Sequence, residues 1–258
     1  MRSKRDRVLS AVSTVATVGM FGLLALLVVG AAARAGGVAW ARLWAAAAGT
    51  TLLCAAGLVL ALPLGIAAAA TTTVFGLRRR RRHHIDRFLS AMASLPSIVY
   101  GLVVAQVLLV TGSSGYLAAA LALGAMAAPF VYVATREALE AVSPRLREAA
   151  LALGADRWQY LRQVLLPAAL PGILTGTVLT VARVAGETAI LLIVAFTIAP
   201  QTGDAGVPAA LPLDLFAFLS QSSSWKSSAA TYLLVLLAIV LALNAVAIYI
   251  RAGQRRGR

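Results

Sequence analysis

Two opposite charges stand four residues apart in an otherwise apolar run, Thr180-Val181-Ala182-Arg183-Val184-Ala185-Gly186-Glu187-Thr188-Ala189. A charged side chain at the centre of a membrane helix costs roughly 2.5–3.5 kcal/mol on insertion scales, so such a pair needs a reason. Residues four apart share a helical face. Arg183 and Glu187 are therefore expected either to pair and fix helix packing or to face a polar path together. In a path, the planar fork of Arg183 suits an oxyanion, and Glu187 would orient that fork and keep the anion from binding too tightly. A second polar stretch runs from Glu148-Ala149-Ala150 through Gly154 and Ala155 to Val164-Leu165-Leu166-Pro167. On its own it fits a solvated amphipathic connection. Catalytic motifs do not occur. The only lysines are Lys4 after Ser3 and Lys226 after Trp225, so the Gly-Lys-Ser/Thr of a phosphate-binding loop is missing. No Gly-x-Ser-x-Gly or His/Glu metal pair appears either. Any energy for work must come from an attached ATPase or from an ion gradient.

The elements that must position these residues are apolar helices. With 60% hydrophobic and 12% charged residues and a mean hydropathy of +0.87, the chain lies far from an ordinary soluble domain. A span needs about 20 mostly apolar residues. Six segments qualify: 9–32, 50–74, 88–110, 115–134, 172–198 and 229–250. Unbroken apolar runs are unlike the alternating pattern of a membrane barrel, which makes the fold all-α and polytopic. The first run is longer than a signal-peptide core and lacks a polar exit with a cleavage site, so a retained anchor is expected. Cys54, in the second span, is expected to be packing.

A net charge of +14 would point to nucleic acid in a soluble protein, but the charges alternate along this chain. With the N-terminus inside, every basic residue falls in an inner segment except Arg34, Arg42, Lys226 and the intramembrane Arg183. That alternation is the positive-inside bias, which puts both termini in the cytoplasm. The tract Arg78 to Arg82 with His83-His84 lacks aromatic interleaving and a second ligand cluster, so it is expected to anchor topology against anionic lipid rather than bind a metal or nucleic acid. The outer segment 201–228 fits either an external binding protein or a solvated loop with Trp225 as an interfacial anchor.

The longest inner connection, 136–166, carries its own punctuation. Ser143-Pro144 marks a helix start with Glu148 near the positive end of its dipole. Gly154 permits a turn that a side chain would obstruct, and Asp156 caps a second short helix over 156–164. Helix, glycine turn, helix makes a compact rigid lever. Pro96, with Ser97 and Gly101, predicts a bend in the third span and close backbone approach, as Pro63 and Gly65 do in the second.

Glu148-Ala149-Ala150, Gly154 and Leu166-Pro167 at these spacings, before the penultimate span, resemble the "EAA" loop of ABC importer permeases. Arg183-x-x-Gly186-Glu187-Thr188-Ala189 and Leu95-Pro96-Ser97-Ile98-Val99-Tyr100-Gly101 resemble signatures of phosphate importer permeases of the PstA and PstC type. Glu187-Thr188-Ala189 followed by leucines, and Leu211-Pro212-Leu213-Asp214-Leu215-Phe216, lean to PstA. The resemblance runs from about residue 51 to the C-terminus.

It implies a type I (MetI-like) permease of six transmembrane helices in the bacterial plasma membrane. Residues 1–45 would form a tail, first span and outer loop, residues 46–252 the transmembrane domain with its coupling loop at about 136–167, and residues 253–258 a tail. It further implies a substrate path at Arg183, Glu187, Thr188, Ser97 and Tyr100, and ATPase coupling through Glu148, Ala149, Ala150, Gly154, Ala155, Leu166 and Pro167. No cofactor would bind this chain, ATP being used by the partner. Those partners would be a PstC-like second permease, two PstB-like ATPases and a PstS-like external phosphate-binding protein, with membrane lipid around them and no nucleic acid. The cargo would be inorganic phosphate, with sulfate, molybdate or phosphonate as alternatives and an ion-coupled secondary transporter as a different class. That class usually shows inverted repeats, which this chain lacks. One departure stands out: Ile190 occupies a position where PstA proteins often carry proline, so the helix break is expected to be absent.

Overall fold

A computed structural model of the chain describes residues 40–75, 79–111, 115–202, 209–220 and 226–256. These form helices and no strand: α1 (Trp40–Val74), α2 (Arg79–Ser94), α3 (Ser97–Thr111), α4 (Gly115–Glu140), α5 (Pro144–Ala152), α6 (Arg157–Ala185), α7 (Ala189–Thr202), α8 (Leu211–Ser220) and α9 (Lys226–Arg256). The first expected span, 9–32, lies outside the described residues, as do Arg34, Arg78 and Trp225. Among the described residues, α1, α4, α6 and the 228–250 part of α9 are each long and apolar enough to cross a membrane. The pair α2 and α3 adds a fifth if counted as one bent span, and the first of the six expected spans is not among the described residues.

Small residues set the core. A Cβ added to Gly57 would stand 3.1 Å from the backbone nitrogen of Gly124, and one on Gly65 would stand 2.7 Å from Val131. Close approach at both points runs α1 and α4 side by side in the same direction. In membranes, where lipid is as apolar as leucine, such backbone contact is what association rests on. α6 returns antiparallel against the other side of α4, where Gly172 leaves only 2.8 Å between a would-be Cβ and Ala138. Leu53, Leu58, Leu123, Met126 and Val184 fill the middle of this trio, and Cys54 is buried among them as a free thiol.

The expected third span, 88–110, is two helices. α2 and α3 meet at Leu95-Pro96 with a bend of 97°. Pro96 has no N–H to give the carbonyl four residues back, and it pushes Leu95 out of helical conformation. The carbonyl so freed belongs to Met92. It accepts from the Leu95 N–H at 3.0 Å and from the Tyr100 hydroxyl at 2.7 Å.

The expected fifth span, 172–198, is also broken, against the expectation drawn from Ile190. α6 stops at Ala185, Gly186 sits at φ −89°, ψ 2°, and α7 begins at Ala189. No proline is needed because the Glu187 carboxylate accepts the Ala189 N–H at 3.1 Å and so caps the new helix. Ile190 is fully buried, with its Cα 3.2 Å from where a Cβ on Gly101 would lie. The starts of α3 and α7 are thus within about one helical turn of each other.

At its other end α6 is longer than the sequence indicates. The expected separate helix over 156–164 is the first part of α6, joined to the rest by a π-helical stretch, Tyr160–Leu165. There the Leu166 N–H reaches back to the Leu161 carbonyl. The ring of Pro167 cannot pass the carbonyl four residues before it in a regular α-turn, and the wider turn makes room. At the end of the bundle opposite α5, the short helix α8 is tied to α1. Arg42 reaches Asp214 with Nη2 at 3.1 Å and Nε at 3.4 Å, and Thr50 Oγ1 accepts the Leu211 N–H at 2.9 Å.

Candidate functional site

Arg183 lies on the last turn of α6 with its side chain exposed, in a helix whose neighbouring Ala182 and Val184 are buried. Its guanidinium carbon stands 4.3 Å from the ring centroid of Phe130, near the middle of α4. A cation over an aromatic face gains about 0.5–1 kcal/mol when exposed and more when desolvated, and that attraction leaves the N–H fork unspent. Among the described residues no carboxylate lies within 4.0 Å of Arg183. Of the two alternatives, the pairing with Glu187 therefore does not form, because the helix ends between them and the four-residue spacing no longer shares a face. Glu187 serves instead as the cap of α7. Thr188, half-buried, donates its hydroxyl to the Gly186 carbonyl at 3.4 Å.

Ser97 is half-buried and opens α3, beside this break. Tyr100 is buried with its hydroxyl engaged by Met92, so its polar atom closes the elbow. The structure thus gathers Arg183, Glu187, Thr188, Ser97 and Tyr100 around two adjacent helix breaks. Among the described residues, Arg183 is the charged member of this group that makes no hydrogen bond or ion pair.

The second set of residues forms a welded corner. α5 starts at Pro144, with Ser143 before it making no side-chain cap bond. Gly154 takes φ +80°, and around it the Gly154 N–H bonds the Leu151 carbonyl and the Ala155 N–H bonds the Ala150 carbonyl, both at 3.0 Å. This is the helix-ending motif that a left-handed glycine allows. Asp156 then opens α6 with a reciprocal cap: its Oδ1 accepts from Trp158 N at 2.8 Å and Gln159 N at 2.7 Å, while Gln159 Oε1 accepts the Asp156 N–H at 2.9 Å. Ala150 is buried against Tyr160, Leu161 and Leu165, whereas Glu148 and Ala149 face out. Leu166 is half-buried and Pro167 exposed. Leu151, Leu153 and Trp158 are also exposed, and Leu153 is 89% so. Arg157 fastens the corner to the end of α1 by donating to the Phe75 carbonyl at 3.4 Å.

Sequence reasoning missed a third cluster. Arg82 and Asp86 on α2 meet Tyr132, Arg136 and Glu140 on α4, with ion-pair distances of 2.6 to 3.8 Å. The sequence places Arg82 in the anchoring tract and Arg136 among the inner basic residues, with no partner indicated for either. Both pairs Arg82/Asp86 and Arg136/Glu140 have the four-residue spacing of helical ion pairs, and that was the available signal. Elsewhere on α2, Arg80, His83, His84 and Arg87 are exposed. No group of His, Cys, Asp or Glu able to hold a metal occurs among the described residues.

Residues 61–256 match the family model described as "Binding-protein-dependent transport system inner membrane component". The chain belongs to that family. It is 38% identical over 198 residues to the phosphate transport system permease protein PstA of Xylella fastidiosa (strain 9a5c), covering 75% of this chain and 69% of the relative. With the protein of the same name from Yersinia pestis it shares 36% over 218 residues, 81% of this chain and 72% of the relative. Among solved structures, a chain of a bacterial alginate ABC transporter superposes with a TM-score of 0.69 at 18% identity, covering 96% of each chain. A chain of the MetNI methionine ABC transporter does so at 0.59 and 22%, covering 81% of this chain and 93% of that one. These likenesses give the all-helical ABC importer permease fold. The chain is accordingly a multi-pass inner-membrane transporter component of this family.

Proposed function

We propose that this chain is the membrane-spanning permease subunit of an ATP-driven importer of inorganic phosphate, with Arg183 as its anion-contacting residue. The observation that carries the reading is the state of Arg183: a permanent cation in an apolar helix, exposed on the isolated subunit, held by the Phe130 ring and left without a carboxylate. Facing lipid, that side chain would cost roughly 2.5–3.5 kcal/mol at the helix centre. A polar path against a second permease would, and phosphate matches the guanidinium fork. The curated PstA relatives point to the same cargo.

In this reading the α5 corner faces the cytoplasm, as do both termini, which agrees with the placement of the basic residues. Exposed Leu151, Leu153 and Trp158, with Glu148 as one carboxylate among exposed arginines, offer an apolar surface to a separate ATPase, which alone would use ATP. Two such ATPases, a second permease and an external phosphate-binding protein would complete the machine. Nucleotide-driven closure would move the corner and rock the helices, turning the Arg183 region from one side of the membrane to the other.

Uptake of labelled phosphate at limiting concentration, in cells lacking and regaining this gene, tests the cargo. Restored uptake that only unlabelled phosphate competes supports the reading. Competition by sulfate, molybdate or phosphonate would reassign the cargo, and no restored uptake of any of the four would remove Arg183 from an anion path.

A further inference from the structure

Asp86 is the centre of the cluster between α2 and α4. Its Oδ1 lies 3.5 Å from Arg136 Nη1, its Oδ2 lies 3.7 Å from Arg82 Nε, and it accepts the hydroxyl proton of Tyr132. Tyr132 is fully buried, and its oxygen also approaches Thr72 Oγ1 of α1 at 3.3 Å. Glu140 closes the ring by taking Arg82 Nη2 at 2.6 Å and lying 3.8 Å from Arg136 Nε. Two arginines and two carboxylates balance in charge. The Asp86 and Arg136 side chains are only 17% and 23% exposed, so this half of the ring is shielded from the solvent that makes surface pairs worth little, whereas Arg82 and Glu140 form its wetter edge.

Its position matters more than its strength. Glu140 ends α4 three residues before Ser143-Pro144, where α5 starts. In the other direction α2 leads to Met92, the Tyr100 elbow and the Gly101–Ile190 contact beside the Gly186–Thr188 break. We propose that Asp86 is a positioning residue that locks α2 to α4, so that α2, α4 and the α5 corner move as one body and deliver that motion to the paired helix breaks beside Arg183. This rests on the coupling role given above to the corner. Without the lock, α2 would hinge at its bend with α3 and the corner could move without the breaks following.

The test uses the assembled transporter in proteoliposomes, in a Cys54→Ala background, with spin labels on exposed Ser90 and Ala141. The label distance is expected to be the same in nucleotide-free and vanadate-trapped states. Asp86→Asn should make it change on trapping and lower uptake per ATP hydrolysed roughly tenfold, within the range that coupling mutations span, while Asp86→Glu restores both. A distance that shifts in the unmodified transporter overturns the proposal. So does an Asp86→Asn protein with unchanged distance and coupling. If Asp86→Asn fails to insert, Arg82→Cys/Glu140→Cys bridged by a short bismaleimide decides: retained uptake supports a single body and lost uptake refutes it. The label distances do not depend on the cargo, so failure of the phosphate reading appears separately, as absent phosphate uptake by the unmodified transporter.

Discussion

The hydroxyl of Tyr100 bonds the carbonyl of Met92 at 2.7 Å, and Met92 is the residue whose helical donor Pro96 removes. One proline removes a helical donor, and the Leu95 N–H together with a buried hydroxyl one turn beyond that proline takes its place. With the hydroxyl removed that carbonyl still holds the Leu95 N–H, so the loss is one hydrogen bond, worth about 0.5–1.5 kcal/mol. Tyr100→Phe should therefore lower the unfolding temperature of the purified protein while its half-saturating phosphate concentration stays as before. A changed half-saturating concentration at unchanged stability would return Tyr100 to the anion path.

Arg183 and Phe130 should behave as a unit. Arg183→Gln is expected to cut uptake at least tenfold while the ATPase still co-purifies, because the guanidinium touches no group of the coupling corner. Phe130→Leu keeps the volume apolar but removes the ring face, worth about 0.5–2 kcal/mol. Its half-saturating concentration should rise severalfold with the maximal rate little changed. Uptake assays over a range of phosphate concentrations separate the two, and normal uptake by Arg183→Gln would make this arginine a packing residue.

Much of this fold was legible in the residues, and the misreadings share a cause. The corner was readable because Ser143-Pro144, Gly154 and Asp156 are local signals whose partners lie within a few residues. The bend at Pro96 was readable for the same reason, though not its 97°. What failed was continuity. Apolar runs such as 88–110 and 172–198 look like single spans because hydropathy does not register a break. The second break is made by a side-chain cap from Glu187, a residue whose charge drew attention to ligand binding instead. The Arg42–Asp214 and Asp86–Arg136 pairs join residues far apart in sequence, and composition alone assigned each arginine to topology.

Gly154 offers a test of the corner free of packing effects. Its φ is +80°, and nothing lies within 4 Å of where a Cβ would stand. Gly154→Ala thus costs only the left-handed backbone, roughly 1–2 kcal/mol. Asn tolerates that conformation better. Insertion should be normal in both, with transport per ATP reduced in Gly154→Ala and nearly restored in Gly154→Asn. Equal activity in the two would mean that the rigidity of the corner has no part in coupling.

Glu148 is exposed, and among the described residues it makes no ion pair. Reversing its charge should leave the chain's own stability within about 0.5 kcal/mol, as for surface substitutions away from special features. Any effect of Glu148→Lys must then come from what docks there. The expected result is a protein that inserts in normal amount and melts normally but loses both ATPase co-purification and uptake. Glu148→Gln, which keeps the shape without the charge, separates repulsion from a lost contact: if it co-purifies as the unmodified protein does, the docking partner senses the introduced positive charge and not the missing carboxylate. Co-purification and uptake unchanged in Glu148→Lys would mean that the ATPase sits elsewhere, and the exposed Leu151, Leu153 and Trp158 would then need another partner.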